Sequence, residues 1–221
     1  MFDLRFNNPS SFILAGPSQS GKTTFTLNLL RCSELFQDPR CFLNIIFYYH
    51  HWQSSYDALK SENIVKKWVE KMPTTDDITD ETFAYKDGGS IILIDDYAQQ
   101  INKNTVELFT EKCHHSNAVI ILLTQNIFDK NPVFRTISLQ SNYVLLFKNP
   151  RDSSQINSFA KQFSPGNPAW VIEAFKEATR NPYSYLLFDN CQTTPDKIRV
   201  RSNVLPHEFP MRVYMPKSYN M

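Results

Sequence analysis

Residues 16–24 constrain the fold of this chain more than any other segment. They read Gly-Pro-Ser-Gln-Ser-Gly-Lys-Thr-Thr and match the pattern G-x-x-x-x-G-K-[ST] in full. The apolar run Phe12–Ala15 leads into this segment, and Phe25, Leu29 and Leu30 follow it at helical spacing. Where a strand, a glycine-rich loop and a helix follow one another in this order, the backbone N–H groups of the loop and the positive end of the helix bind phosphate. We therefore predict a loop that binds a nucleoside triphosphate.

The composition argues against a glycine-rich turn that matches by chance. The chain has only five glycines, and Gly16 and Gly21 occupy the two obligatory positions. Glycine there lets N–H groups point at phosphates where a Cβ would clash. Lys22 is expected to bind the β- and γ-phosphates, and the Thr23 hydroxyl to ligate Mg²⁺. The predicted nucleotide-binding residues are Gly16, Pro17, Ser18, Gln19, Ser20, Gly21, Lys22, Thr23 and Thr24.

Apolar runs alternate with amphipathic segments along the chain. Most of the runs are continuous, which is typical of strands covered on both faces and so indicates a parallel sheet. Helices are expected after an Asn104 cap, over 156–163, and from Pro168 with Asn167 as its cap. The pattern predicts an α/β fold, a P-loop NTPase with a mainly parallel sheet flanked by helices. The predicted strands are 12–15, 43–49, 91–94, 118–123, 143–147 and 185–188.

Length and hydrophobicity suit one domain. The 221 residues, 42% of them apolar, can bury one substantial core, and no Pro/Ser/Gly linker divides them. We predict a single domain over 1–221. Two regions depart from the regular alternation: a surface excursion over about 57–90 and an extended C-terminal tail over about 195–221.

Charge and cysteine usage exclude several classes of protein. The net charge of +1 leaves no global basic field, so any DNA contact must come from local patches.

The four cysteines have no paired spacing, which predicts free thiols and a reducing compartment. Cys113, His114 and His115 are adjacent and cannot all face one tetrahedral zinc. With no signal-like N-terminus and no apolar run long enough to span a bilayer, the sequence predicts a soluble, intracellular protein without a membrane partner.

A second motif follows Gly88-Gly89-Ser90. Residues 91–96 read Ile-Ile-Leu-Ile-Asp-Asp, a Walker B pattern in which an aliphatic strand ends in two carboxylates. Asp95 is expected to hold Mg²⁺ together with Thr23, and Asp96 to act as the base that orients the attacking water. Asp96 is one methylene shorter than the glutamate common at this position. Two acids at an ordinary strand end are the alternative interpretation.

A third polar group lies at the end of the strand predicted over 118–123. Gln125 could sense the γ-phosphate or orient water, although a glutamine after a strand is often simply solvated. A separate catalytic strand, as in RecA-like ATPases of the ASCE type, and the absence of an Asn-Lys-x-Asp motif argue against a Ras-like GTPase. The expected cofactors are therefore ATP and Mg²⁺.

Taken together, these residues resemble the FtsK/HerA superfamily of ATPases, in the viral genome-packaging branch of poxviruses, virophages and polinton-like elements. The stretches 114–126, 135–141 and 147–152 add to the resemblance. It implies an ATP-hydrolysing motor that forms a homo-oligomeric ring, translocates double-stranded DNA and contacts capsid or portal components. It would act in the host cytoplasm or nucleus, or associated with the virion. The resemblance also carries over Lys22 and Thr23 for phosphate and Mg²⁺, Asp95 for the metal, Asp96 as base and Gln125 as sensor.

Ring motors of this type complete each site with an arginine from the neighbouring subunit, because a guanidinium neutralises charge on the transferred phosphoryl group. Arg135 and Arg151 are both candidates here. Either could instead be an ordinary surface residue.

Candidate DNA contacts are less specific. The aromatic and polar cluster 48–53 with Tyr56 resembles a base-stacking platform, but duplex DNA has no free base faces, so core packing or a subunit contact is the alternative. Lys66-Lys67 and 197–201 offer cations for phosphates. Two rival functions remain: a P-loop kinase for a small molecule, which would be expected to carry an arginine-rich lid, and an ATP-gated interaction protein.

Overall fold

The computed structural model describes residues 2–74, 89–95, 97, 101–112, 117–128 and 131–216. Nine strands in these ranges pair into one sheet. The strands are β1 (Ser10–Ala15), β2 (Ile45–Tyr49), β3 (Lys67–Val69), β4 (Ile91–Asp95), β5 (Val119–Thr124), β6 (Tyr143–Phe147), β7 (Tyr185–Asp189), β8 (Val200–Ser202) and β9 (Arg212–Tyr214). Their order across the sheet is β3-β2-β4-β5-β1-β6-β7-β8-β9.

Strand β5 lies between β1 and β4, and the three run parallel. Ala15 pairs with Thr124, and Asp95 pairs with Leu123. The carboxyl ends of these strands therefore lie side by side at one edge of the sheet, where open α/β folds bind ligands. This arrangement confirms the predicted α/β class with a mainly parallel sheet and a separate strand beside the phosphate-loop strand.

Helices cover both faces of the sheet. They are α1 (Lys22–Leu30), α2 (Asp57–Ser61), α3 (Lys103–Glu107), α4 (Pro132–Gln140), α5 (Ser154–Phe163) and α6 (Pro168–Ala178), and a π-helical turn, Leu108–Lys112, continues α3. Alternate strand residues enter opposite cores. Ile13 belongs to the same buried cluster as Phe134 and Phe159. Phe12 and Leu14 belong to the other cluster, with Phe25. Burial on both faces explains the continuous apolar runs.

The last three strands pair antiparallel, at one side of a sheet that is otherwise parallel, so the sheet is mainly parallel as predicted. Tyr185 pairs with Phe147 in an antiparallel register, and β8 and β9 continue in the same way. All five residues of β7 are buried, so a continuous apolar run reports burial on both faces and not strand direction. The predicted extended tail likewise contributes β8 and β9 to the sheet.

The predicted surface excursion is also partly incorporated into the fold. Residues 57–61 form α2, whose Leu59 is fully buried. Residues 67–69 form β3, which pairs parallel with β2 at the edge of the sheet. Residues 75–88 of the excursion lie outside the described residues.

Two helix starts differ from the predictions. Asn102, not Asn104, caps α3: its Oδ1 accepts from the N–H groups of Asn104 and Thr105 at 2.9 and 3.3 Å. The Thr105 hydroxyl accepts in return from the Asn102 N–H at 3.2 Å, so the capping box uses Thr105 and not Glu107. Helix α4 was not predicted, although Asn131-Pro132 has the same signature as Asn167-Pro168.

Candidate nucleotide-binding site

The phosphate loop follows β1, and a Cβ on either of its two glycines would approach neighbouring atoms closely. A Cβ on Gly16 would lie 2.7 Å from Phe147 Cβ and 2.8 Å from Ser20 Oγ. Gly21 has a φ of +101°, a conformation that L side chains rarely adopt, and a Cβ there would lie 3.1 Å from Tyr183 Cβ. Neighbouring atoms at Gly16 and the backbone conformation at Gly21 thus favour glycine, in addition to any approach of phosphate.

Lys22 folds back over the loop. Its Nζ donates to the carbonyl oxygens of Gly16 and Pro17 at 2.6 and 2.9 Å. This holds an ammonium group at the start of α1, whose first turn carries no acidic residue. Ser20 Oγ is buried and has no hydrogen-bond partner among the described residues. An ammonium, a helix N-terminus and an unsatisfied hydroxyl suit an anion, so the loop residues fit a triphosphate.

Asp95 ends β4 and is 94% buried. The Tyr56 hydroxyl donates to Asp95 Oδ2 at 2.6 Å, and the Tyr56 side chain is itself fully buried. This hydrogen bond fixes one carboxylate oxygen toward the turn that precedes α2. The sequence predicted Tyr56 only as part of an aromatic cluster. Nothing in its spacing from Asp95, 39 residues along the chain, indicated the contact.

One cavity of about 1300 Å³ joins the predicted elements. It brings together most of the phosphate loop, Asp95 at the end of β4, and Gln125 after β5. Gln125 is exposed, in a turn in which Asn126 Oδ1 accepts from the Phe128 N–H at 2.7 Å. The lining residues are Ser18, Gln19, Ser20, Gly21, Lys22, Thr23, Thr24, His50, Gln53, Ser54, Ser55, Asp95, Leu123, Thr124, Gln125, Asn126 and Tyr183.

Several lining residues were missed by the sequence analysis as parts of a nucleotide site. His50 and 53–55 reach the cavity because β2 pairs with β4, with Tyr49 opposite Asp95. Tyr183 reaches it from the turn before β7. No signal in the sequence identified β2 as the neighbour of β4. Asn181-Pro182 is a helix-stop signal in the sequence, but it does not indicate where the following turn lies in the fold.

The two arginine candidates lie away from this cavity. Arg135 is exposed on α4, and Arg151 is exposed just before α5, where its N–H donates to Asn149 Oδ1 at 3.1 Å. Neither lines the cavity. The predicted base, Asp96, lies outside the described residues, and so do residues 113–116 with the rejected zinc ligands.

The predicted DNA-contacting cations are partly engaged elsewhere. Arg201 is buried and pairs with the buried Asp189 at 2.6 Å, so it cannot contact a duplex. Arg199 donates to Asp196 at 2.7 Å. Lys66 and Lys67 are exposed, Lys67 within β3 at the sheet edge.

The aromatic cluster 48–53 with Tyr56 is divided between core and surface. Tyr48 and Tyr56 are buried, which agrees with core packing. Trp52 is 40% exposed, with Lys60 Nζ 4.9 Å from its ring centroid.

The described cysteines carry free thiols. Burial raises the pKa of the Cys41 and Cys191 thiols to about 11, so both stay neutral near pH 7. Among the described helices, none has the length and apolar character required to cross a bilayer.

The sheet order and this cavity are those of the P-loop NTPase fold. A phosphate loop follows β1, an acidic residue ends β4, and β5 lies between them with a polar residue at its end. No protein-family profile matches the sequence, and no curated protein matches it.

Solved structures do resemble the chain. The genome packaging NTPase B204 from Sulfolobus turreted icosahedral virus 2, in complex with ATP-γ-S, is 17% identical with a TM-score of 0.56, over 95% of this chain and 98% of that one. The same protein with AMPPCP has a TM-score of 0.55 at 17% identity, with the same coverage. B204, the DNA-packaging ATPase from Sulfolobus turreted icosahedral virus, is 16% identical with a TM-score of 0.55, over 96% and 99% of the two chains. The resemblance to genome-packaging ATPases predicted from the sequence is thus confirmed at the level of the fold.

Proposed function

We propose that this chain is an ATP-hydrolysing motor that translocates double-stranded DNA into a viral capsid. The observation that carries the proposal is that one cavity is lined by most of the phosphate loop, Asp95 and Gln125. The likeness to a genome packaging NTPase and to a DNA-packaging ATPase, over nearly the whole of each chain, supports the choice of DNA as the translocated polymer.

The loop residues supply the binding of the triphosphate. The N–H groups at the start of α1 and the Lys22 ammonium face the phosphates, and the glycines keep this backbone in place. The Thr23 hydroxyl and the Asp95 carboxylate would hold Mg²⁺, which neutralises charge on the β- and γ-phosphates. Tyr56 keeps one Asp95 oxygen fixed by a hydrogen bond.

Hydrolysis needs a positioned water and neutralised charge at the γ-phosphate. Gln125 lines the cavity at the end of β5 and is proposed to orient the water there, with Asp96 as the base. An arginine of a neighbouring subunit, Arg135 or Arg151, would complete the site in a homo-oligomeric ring. The exposure of both side chains outside the cavity is consistent with a role in another subunit's site.

The test is ATP hydrolysis with and without linear duplex DNA over a range of salt, together with molar mass in solution. Turnover should rise when DNA is added, and the stimulation should weaken with salt because phosphate contacts release counterions. Lys22→Ala should abolish hydrolysis, whereas Lys176→Ala, an exposed lysine on α6, should not.

Two results would contradict the motor. A turnover rate that is the same with and without duplex DNA at every salt concentration would remove the support for translocation. A phosphorylated small-molecule product identifies a P-loop kinase instead.

A further inference from the structure

Tyr183 is an exposed aromatic residue on the wall of the nucleotide cavity. The residue is 70% exposed, although it lines the same cavity as the phosphate loop. Its φ is +62°, an unusual conformation for a bulky residue. Strained backbone of this kind is concentrated at ligand-binding positions.

The turn that carries Tyr183 is held against the sheet. The Lys148 N–H donates to the Ser184 carbonyl at 3.4 Å, and Lys148 Nζ donates to the Arg180 carbonyl at 3.1 Å. The Ser184 hydroxyl closes the turn by donating to the Asn181 carbonyl at 2.5 Å. The ring is therefore presented from an anchored position.

Tyr183 lies next to Gly21, the residue that caps the N-terminus of α1. A Cβ on Gly21 would lie 3.1 Å from Tyr183 Cβ and 3.3 Å from its carbonyl oxygen. A triphosphate held by the loop must direct its ribose and base out of the loop, since the N–H groups and Lys22 surround the phosphates. An aromatic face beside the loop is then available to a base.

We propose that the Tyr183 ring stacks on the adenine base of the bound nucleotide. Stacking on an aromatic side chain needs a flat apolar face and no matched donors or acceptors. An exposed tyrosine ring beside the loop supplies that face. The inference rests on the proposed binding of ATP and adds a base-contacting residue to it.

The test compares the affinity of ATP with that of inorganic tripolyphosphate, which lacks the base. Titration calorimetry on the full chain would use Tyr183→Phe, Tyr183→Ala and Tyr183→Asn. Asparagine removes the ring while it tolerates a positive φ. Phe209→Ala is a matched control, because Phe209 is 81% exposed and does not line the cavity.

The expected result is an increase of about tenfold in the Kd of ATP for Tyr183→Ala and Tyr183→Asn, with little change for Tyr183→Phe. The Kd of tripolyphosphate should be unchanged in all variants. The Phe209→Ala protein should bind ATP as the unmodified chain does.

Three outcomes would overturn the inference. The first is an unchanged Kd of ATP in the alanine and asparagine variants. The second is an equal increase in the Kd of ATP and in the Kd of tripolyphosphate, which would mean that the ring shapes the loop. The third is a change in molar mass without a change in Kd, which would assign Tyr183 to a contact with a second copy of the chain. If the unmodified chain fails to bind ATP, the proposed function itself fails.

Discussion

At the scale of single residues, the site depends on contacts that do not belong to the sequence motifs. Lys22 is held by the carbonyls of its own loop, but Asp95 is held by Tyr56 from another part of the chain. A buried carboxylate needs such a donor, because an unsatisfied polar group is costly away from water. Tyr56 therefore acts as a positioning residue for Asp95.

Tyr56→Phe removes the donor and keeps the ring, which packs against Phe47 with centroids 4.7 Å apart. We expect the free energy of unfolding to fall by roughly 1–3 kcal/mol, because the buried hydrogen bond from Tyr56 to Asp95 Oδ2 is lost. We also expect a higher Mg²⁺ concentration for half-maximal nucleotide binding. Urea unfolding and a Mg²⁺ titration of nucleotide affinity measure the two effects.

Tyr214→Phe is the matched control, because it also removes a hydroxyl that makes a hydrogen bond. The Tyr214 hydroxyl in β9 lies 3.2 Å from the Ser202 hydroxyl in β8, and neither residue lines the cavity. The Mg²⁺ dependence of Tyr214→Phe should equal that of the unmodified chain. An unshifted Mg²⁺ dependence in Tyr56→Phe would mean that the hydrogen bond stabilises the fold only.

At the scale of the elements, the loop and α1 depend on the turn before β7. The two segments meet at Gly21, where the positive φ strains any side chain and a Cβ would crowd Tyr183 at 3.1 Å. The requirement for glycine thus comes from the packing of two elements as well as from local backbone conformation.

Gly21→Ala should destabilise the protein by about 1–3 kcal/mol, because alanine is strained at this φ. It should also weaken nucleotide binding, because the loop N–H groups are displaced. Gly166→Ala is the control: its Cβ would meet no atom within 4 Å. Thermal unfolding and nucleotide titration of both variants measure the difference, and equal behaviour of the two would contradict the packing argument.

Elements with strong local signals were predicted well. The bounds of β6 agree with the sequence prediction, and β1, β4, β5 and β7 differ by a residue or two at their ends. Helix α4 was missed although Asn131 Oδ1 caps it by accepting from the Val133 N–H at 3.0 Å. The antiparallel direction of β7 was not predicted, because its continuous apolar run reflects burial on both faces, which an antiparallel strand can also have.

At the scale of the whole molecule, the exposed arginines test whether a second subunit completes the site. Neither Arg135 nor Arg151 lines the cavity of its own chain. An arginine that acts in a neighbouring site must be lost from one chain and supplied by another.

One of Arg135→Ala and Arg151→Ala should abolish ATP hydrolysis and leave ATP binding intact. Mixing that variant with Lys22→Ala should restore part of the activity, because hybrid interfaces then combine an intact loop with an intact arginine. Steady-state ATPase assays of the separate and mixed proteins measure this. Arg212→Ala, an exposed arginine paired with Glu177, is the control. Normal turnover in both candidate variants would contradict the role.

The sequence by itself determined the chemistry of the phosphate loop, the acidic end of β4 and the α/β class. These are local properties: a motif read over nine residues, and apolar runs set by burial on two faces. Only the tertiary structure decided which other residues join them.

The hydrogen bond from Tyr56 to Asp95 depends on the pairing of β2 with β4. The same pairing brings His50, Gln53, Ser54 and Ser55 to the wall of the cavity. Tyr183 reaches Gly21 because β7 runs antiparallel to β6; a parallel β7 would have begun at the opposite edge of the sheet. Strand order and direction are set by long-range packing, which no short segment of the sequence encodes.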